Sequence, residues 1–348
     1  MDTSKKKTPN WLGYILKYLV PLVITVGLCW LLFTGMDFRQ MWHIIVTQCD
    51  FRWIAAALCV SVLSHVVRAA RWRIQLAALD IRPSMWVTTL SIFGTYAVNL
   101  VLPRLGEIWR TGWIAKRQDA QFTKVFGSMV ADRLADTVTV ALLTLVTFLL
   151  AGNQLMSYLE QNSASTAEKI ISIFSSPWFW TGVIVTIALI AVLVRHYRHT
   201  KFISKIITAL RDLWHGFAVV ATMPGKGRWL LLTVGIWGCY FSQLWLAFYA
   251  FPLTTQVIET YGLLAVLVCF VLSSISMGVP SNGGIGPWQW AIIFGLSLYP
   301  IAGLDKEYAT TFANLVMGTQ TLMLIVLGII TFVWIAFDRK RRTPNNNA

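Results

Sequence analysis

Long apolar runs separated by short basic connections dominate this chain. A helix needs about 20 mostly apolar residues to cross the hydrocarbon core of a bilayer. Eight stretches approach or exceed that length: residues 12–33, 53–70, 130–151, 177–194, 229–250, 262–279, 287–303 and 310–337. The pattern predicts an all-α, polytopic transmembrane helix bundle of about eight spans.

A ninth apolar stretch, residues 85–103, decides the topology. Short cytoplasmic connections collect Lys and Arg. If residues 85–103 do not cross, 25 of the 29 basic residues fall on one side, and only Arg39, Arg52, Lys169 and Lys306 lie opposite. If they cross, heavily basic loops are forced outside. The stretch is therefore expected to enter from the cytoplasm and return, as a re-entrant hairpin. Both termini are then cytoplasmic, in a bacterial inner membrane. Non-helical backbone at that depth is tolerated only against protein or a wet cavity, which predicts a cavity between Asn99 and Pro103.

The remaining organisation follows. Residues 1–11 form a basic cytoplasmic N-terminus. No small-residue cleavage site follows the first apolar run, so that run is read as a span and not as a signal peptide. Residues 12–337 form one integral-membrane domain. Within it, 152–176 is a polar outer connection with a short surface helix, and 280–287 is a glycine-rich break. In 198–228, Phe202, Ile203, Ile206, Ile207, Leu210, Leu213 and Trp214 recur at helical spacing among Lys and Arg, which suits a helix in the cytoplasmic interface. Residues 338–348 form a basic, disordered tail.

Composition agrees: 56% of residues are hydrophobic and 13% charged, outside the range of soluble domains. The net charge of +14 raises nucleic acid as a partner. The basic residues flank apolar segments, however, where they face anionic headgroups. Five scattered cysteines, with no C-x-x-C, read as packing residues. The pair His196 and His199 has no acidic or cysteine companion, so no metal site and no cofactor is expected.

Three polar clusters interrupt the apolar pattern, and a charge at mid-bilayer costs about 2.5–3.5 kcal/mol. The first is Asn99, Pro103, Arg104, Gly106, Glu107 and Arg110. Pro103 and Gly106 turn the chain, and Glu107 and Arg110 share a helix face. Arg104 and Arg110 suit a phosphate, with Glu107 orienting them; a cytoplasmic turn with a surface ion pair is the plain alternative. The second is Asp132, Arg133 and Asp136, one helical turn that should face the bundle interior, near the first cluster or near Arg68 and Arg71. Arg133 reaches Asp136 at i, i+3; a structural clamp explains it equally. The third is Pro280, Asn282, Gly283, Gly284, Gly286 and Gln289, where free N–H groups beside a helix start suit an anion. The alternative is a plain turn. The first and third clusters interrupt opposite halves of the chain, a pattern that points to a transporter site.

These motifs resemble the lysylphosphatidylglycerol synthase transmembrane-region family, also called flippase-like membrane proteins. The resemblance rests on Asn99…Pro103…Gly106-Glu107…Arg110, then Asp132-Arg133…Asp136, then Pro280…Gly283-Gly284-Ile285-Gly286…Gln289, and runs over roughly residues 10–337. It implies a lipid-translocating bundle. Two positions depart from the family pattern: Gln289 stands where the family usually has Glu, and Asn314 where relatives often carry Arg. No soluble aminoacyl-transferase domain like that of the full-length synthases is expected in residues 1–348, so lysyl transfer is not carried over.

Three functions fit these features. The first is a transporter or flippase for an anionic phospholipid or lipid-linked precursor, with the headgroup held by Arg104, Arg110 and Arg133 and balanced by Glu107, Asp132 and Asp136. The second is a transferase acting on a lipid-linked substrate, for which no nucleotide-sugar motif or catalytic domain is found. The third is a non-catalytic scaffold. Membrane lipids are the expected partners; a second copy of the chain or a separately encoded synthase is left open.

Overall fold

The computed structural model describes residues 38–175, 181, 185 and 223–342. The expected spans at 12–33 and 177–194, most of the amphipathic segment 198–228, the His196/His199 pair and residues 343–348 lie outside the described residues. Among the described residues the fold is all-helical. The ten helices are α1 (Phe38–Gln48), α2 (Phe51–Ala77), α3 (Met85–Val101), α4 (Leu105–Arg117), α5 (Phe122–Ser175), α6 (Lys226–Phe248), α7 (Pro252–Tyr261), α8 (Leu263–Ser276), α9 (Pro287–Ser297) and α10 (Lys306–Arg342).

Among the described residues, four helices are long and apolar enough to cross a membrane: α2, the 122–152 portion of α5, α6, and α10 up to residue 338. A fifth candidate is the pair α7–α8, bent by 113°. The bend falls at Gly262, whose φ of +70° suits a residue without a side chain.

Local chemistry sets the boundaries. Asp50 caps α2, accepting from Arg52 N at 3.0 Å, and Ser84 caps α3, accepting from Val87 N. Helix α3 ends just before Pro103, which disfavours helical backbone in the preceding residue. Arg104 then adopts φ +61°, and α4 starts at once.

Helices α3 and α4 form a hairpin that stands at one end of α10. Trp86, at the start of α3, meets Trp334. Arg117, at the end of α4, pairs with Asp338. Deeper in, a Cβ on Gly328 would collide with Ala97. Ten residues of helix separate Gly328 from Asp338, or about 15 Å. The hairpin therefore has both its outer ends at the same end of α10, and its tip at residues 102–104 reaches beyond the level of Gly328 with Leu102 and Arg104 left exposed. Both arms are helical, so the irregular backbone is confined to the tip.

The glycine-rich region departs from expectation. Residues 262–279 and 287–303 read as full spans, but α8 has 14 residues and α9 has 11. Those lengths are about 21 and 17 Å, against a hydrocarbon core of about 30 Å. Apolarity alone cannot separate a half-length helix from a span. The breaks at Gly262 and at Met277–Gly286 decide it, and the count of eight spans is not reproduced. The two short helices pack together as a second hairpin. Its open end lies at the N-terminal end of α10: Tyr261 donates to the Pro300 carbonyl at 3.0 Å. The two hairpins enter from opposite ends and meet at their tips.

The expected break after residue 151 is also absent, because α5 continues as backbone helix through Ser175. Two apolar cores hold the assembly. One contains Phe248, Phe251, Ile292 and Phe312. The other contains Trp72, Leu76, Ile92, Ile114 and Val125, beside the first hairpin.

Candidate functional site

Helix α2 carries a buried polar stripe at helical spacing: Ser61, Ser64, His65, Arg68, Arg71 and Gln75. It faces Asp132 and Asp136 on α5. Arg68 Nη1 donates to Asp136 Oδ2 at 2.7 Å and lies 3.4 Å from Asp132 Oδ2. Arg71 holds Asp132 Oδ1 through Nε (3.0 Å) and Nη2 (2.7 Å), and Nη2 also reaches Asp136 Oδ1 at 2.8 Å. Helix α6 closes the network: the Tyr240 hydroxyl accepts from Arg68 Nε at 3.2 Å, and Thr233 accepts from Arg71 Nη1 at 3.4 Å. Each arginine of this quartet thus meets both carboxylates.

The first cluster joins the second through Glu107. Asn99 Oδ1 accepts from Gly106 N at 2.8 Å, and its amide donates to Glu107 Oε2 at 3.2 Å. Gly106 has to be glycine here, since a Cβ would collide with the Thr95 carbonyl. Glu107 pairs with Arg133 at 3.4 Å, whereas Arg133 and Asp136 are 3.7 Å apart. The i, i+3 pair expected within α5 is thus the longer of the two.

Contrary to the expectation from spacing, Glu107 orients neither Arg104 nor Arg110. Arg104 sits at the hairpin tip with left-handed backbone, and its Nη2 donates to the Gly278 carbonyl at 2.7 Å. Arg110 is turned the other way, with its guanidinium carbon 4.2 Å from the centre of the Trp72 ring. Cation–π attraction and the ring's flat face capture it there, while Trp72 itself donates to Ser128 at 3.1 Å.

Arg110 is the anomaly of the site. It is 0% exposed, and among the described residues none of its three side-chain nitrogens has a hydrogen-bond partner. It lies in the fields of Asp132 and Glu107, but also of Arg133 and Arg68. Four arginines, at 68, 71, 110 and 133, share three carboxylates, at 107, 132 and 136. Among the described residues one positive charge is left over.

The glycine-rich corner lies against the first hairpin. Gly283, Gly284 and Gly286 have φ of +64°, +86° and +95°, and a Cβ on Gly283 would come within 2.6 Å of Leu100 Cδ2. Gln289 Oε1 accepts from Gly286 N at 2.6 Å, and its amide lies 3.4 Å from Asn314 Oδ1. The two positions that depart from the family pattern are therefore neighbours. Pro280 and Asn282 occupy the same non-helical corner. The three sequence clusters thus meet, through Arg104–Gly278, Leu100–Gly283 and Glu107–Arg133.

Sequence reasoning missed His65, Trp72, Gln75, Tyr96 and Tyr240. The signal for His65 and Gln75 was present, as both continue the three-to-four spacing of Arg68 and Arg71. Tyr96 lies one turn before Asn99. Nothing in the sequence marks Trp72 or Tyr240.

The family model described as lysylphosphatidylglycerol synthase TM region matches residues 18–328. No curated protein and no solved structure matches the chain.

Proposed function

This chain belongs to the lysylphosphatidylglycerol synthase transmembrane-region family, and from that premise we propose that it is an integral membrane protein that moves an anionic amphiphile across the bilayer. Arg110 carries the reading. A buried charge stripped of its partner costs about 3–5 kcal/mol, and a phosphate oxygen supplies the partner through charge-assisted, bidentate hydrogen bonds.

The phosphate of an anionic phospholipid or lipid-linked precursor docks between Arg110 and Arg133. Glu107 holds Arg133 while the site is empty and yields it on binding. Acyl chains stay in the lipid beside the bundle. The half-length hairpins meet at their tips, as interrupted helices do around a midplane transport site. Parting them alternately exposes the headgroup to either side. On this reading the first hairpin is re-entrant from the cytoplasm and the second from the opposite face of the bacterial inner membrane, with both termini in the cytoplasm. It is a transporter and not an enzyme, with membrane lipids as partners.

A specific observation favours a structural role for part of the cluster. Arg68, Arg71, Asp132 and Asp136 satisfy one another and balance in charge, so they act as a clamp between α2 and α5.

The test is lipid transport in reconstituted vesicles. Arg110→Gln should abolish movement of an anionic fluorescent phospholipid while the protein stays folded. Equal rates in wild type and variant would refute the proposal.

A further inference from the structure

Arg104 breaks two local rules at the tip of the first hairpin. It is the N-cap of α4, with φ +61° and ψ +5°, a left-handed backbone that few non-glycine residues adopt. Its charge also sits at the positive end of the α4 dipole, where an anion is favoured. Asparagine would suit both the conformation and the cap. Rules broken without local gain tend to mark functional positions.

The gain lies across the tip. Arg104 Nη2 donates to the Gly278 carbonyl at 2.7 Å. That carbonyl follows Met277, the C-cap of α8, at the end of a helix dipole where a cation is favoured. Among the described residues this is the one hydrogen bond of the Arg104 side chain, and no carboxylate pairs with it, Glu107 being held by Arg133. The bond also lies deep. Gly94 meets Thr331 and Ala97 meets Gly328, so α3 runs antiparallel to α10 and in step with it. Five residues beyond Ala97 is Leu102, about 7.5 Å further on. Five residues back from Gly328 is Met323, near the middle of the membrane-crossing stretch 306–338. Arg104 and Gly278 are both exposed at that level. A guanidinium there needs a partner, and one neutral carbonyl is a weak partner beside a phosphate, which offers charge and two oxygens to the fork.

We propose that Arg104 is a latch that the substrate itself releases. With the site empty, Arg104 fastens the first hairpin to the end of α8, and the contact of Leu100 with Gly283 stays shut. An anionic headgroup at the tip takes the guanidinium from Gly278, and the tips part. Arg110 lies six residues further along α4, about 9 Å along its axis, so the phosphate passes from one arginine to the next on a single helix. The empty bundle stays closed, which keeps the path shut to ions between transport cycles. The latch rests on the anion-transport reading above.

The experiment reads tip separation in the purified full chain, as the rate of disulfide formation between Leu100→Cys and Gly283→Cys in a background lacking the native cysteines. Nanodiscs of phosphatidylcholine are compared with nanodiscs carrying added phosphatidylglycerol. With Arg104 present, the anionic lipid should slow crosslinking by about fivefold. Arg104→Leu should crosslink slowly in both. Arg104→Lys keeps the charge and loses the fork; it should show a smaller lipid effect, and it stands in if the leucine variant does not fold. An unchanged rate on adding phosphatidylglycerol overturns the latch. So does Arg104→Leu crosslinking in phosphatidylcholine as fast as the protein with Arg104. Arg110→Gln separates the two ideas. If it moves phosphatidylglycerol at the wild-type rate, the anion reading itself fails. If it abolishes transport while Arg104→Leu leaves both crosslinking rates unchanged, only the latch fails.

Discussion

Replacing Asp132 by Asn removes one carboxylate from a network sealed on all sides. Asp132 is 0% exposed and receives Arg71 through two nitrogens at 3.0 and 2.7 Å, with Arg68 at 3.4 Å. In the variant, two buried guanidinium groups must share Asp136. Breaking a buried pair on one side costs about 3–5 kcal/mol, because the surviving charge stays desolvated. The double variant Arg71→Met/Asp132→Leu removes both charges and leaves the Arg68–Asp136 bond of 2.7 Å as a balanced pair. A well-packed apolar replacement of a buried ion pair is often neutral, so the double variant should lie within about 1–2 kcal/mol of wild type. The assay is reversible denaturant unfolding in lipid nanodiscs, read as a double-mutant cycle. A loss below about 1 kcal/mol for Asp132→Asn would refute the reasoning. So would a double variant whose loss equals the sum of the two single ones. If the double variant folds and still transports lipid, the quartet is a clamp.

Further predictions follow from single contacts. Arg110→Gln should leave unfolding stability unchanged or raise it by about 1–2 kcal/mol, because an unpartnered buried charge is removed; thermal melting with and without added anionic lipid checks this. Gly106→Ala should destabilise by about 1–3 kcal/mol, since its Cβ meets the Thr95 carbonyl, whereas Gly112→Ala, with only Phe122 at 3.9 Å, should be stabilising by about 0.5–1 kcal/mol; paired melts decide. In a background lacking the native cysteines, Leu100→Cys with Gly283→Cys should form a disulfide, because the position 283 Cβ lies 3.9 Å from Leu100 Cα. That bond should halt transport until reductant is added, and an oxidised variant that still transports would show that the tips need not part.

Apolar length and basic flanks made α2, α6, α10 and most of α5 legible, because crossing a bilayer demands both. Charge asymmetry pointed to a hairpin within residues 85–103, whereas residues 85–101 form the single helix α3 and the returning arm is α4 at residues 105–117. Length could not reveal that α8 and α9 are half-helices. Such segments are as apolar as spans, and only backbone conformation at Gly262 and Gly286 separates them. The i, i+4 spacing placed Asp132 and Asp136 on one face, and Arg68 and Arg71 were near enough in expected depth to be candidates. The partnerships of Glu107 and Arg110 were not legible. Spacing says which residues share a face of a helix, but Trp72 lies on another helix, and its ring decided where the Arg110 side chain went. Tyr240 is brought in by α6, 172 residues away from Arg68 along the chain, beyond the reach of any local pattern.

Transport as proposed requires that Arg110 wait for an anion. A structure of the protein in nanodiscs containing phosphatidylglycerol tests it directly. Phosphate density is expected within about 3 Å of the Arg110 guanidinium, with Arg133 drawn from Glu107 toward the same oxygen atoms. Arg110 lying bare on Trp72, with ordered lipid only on the outer face of the bundle, would contradict it.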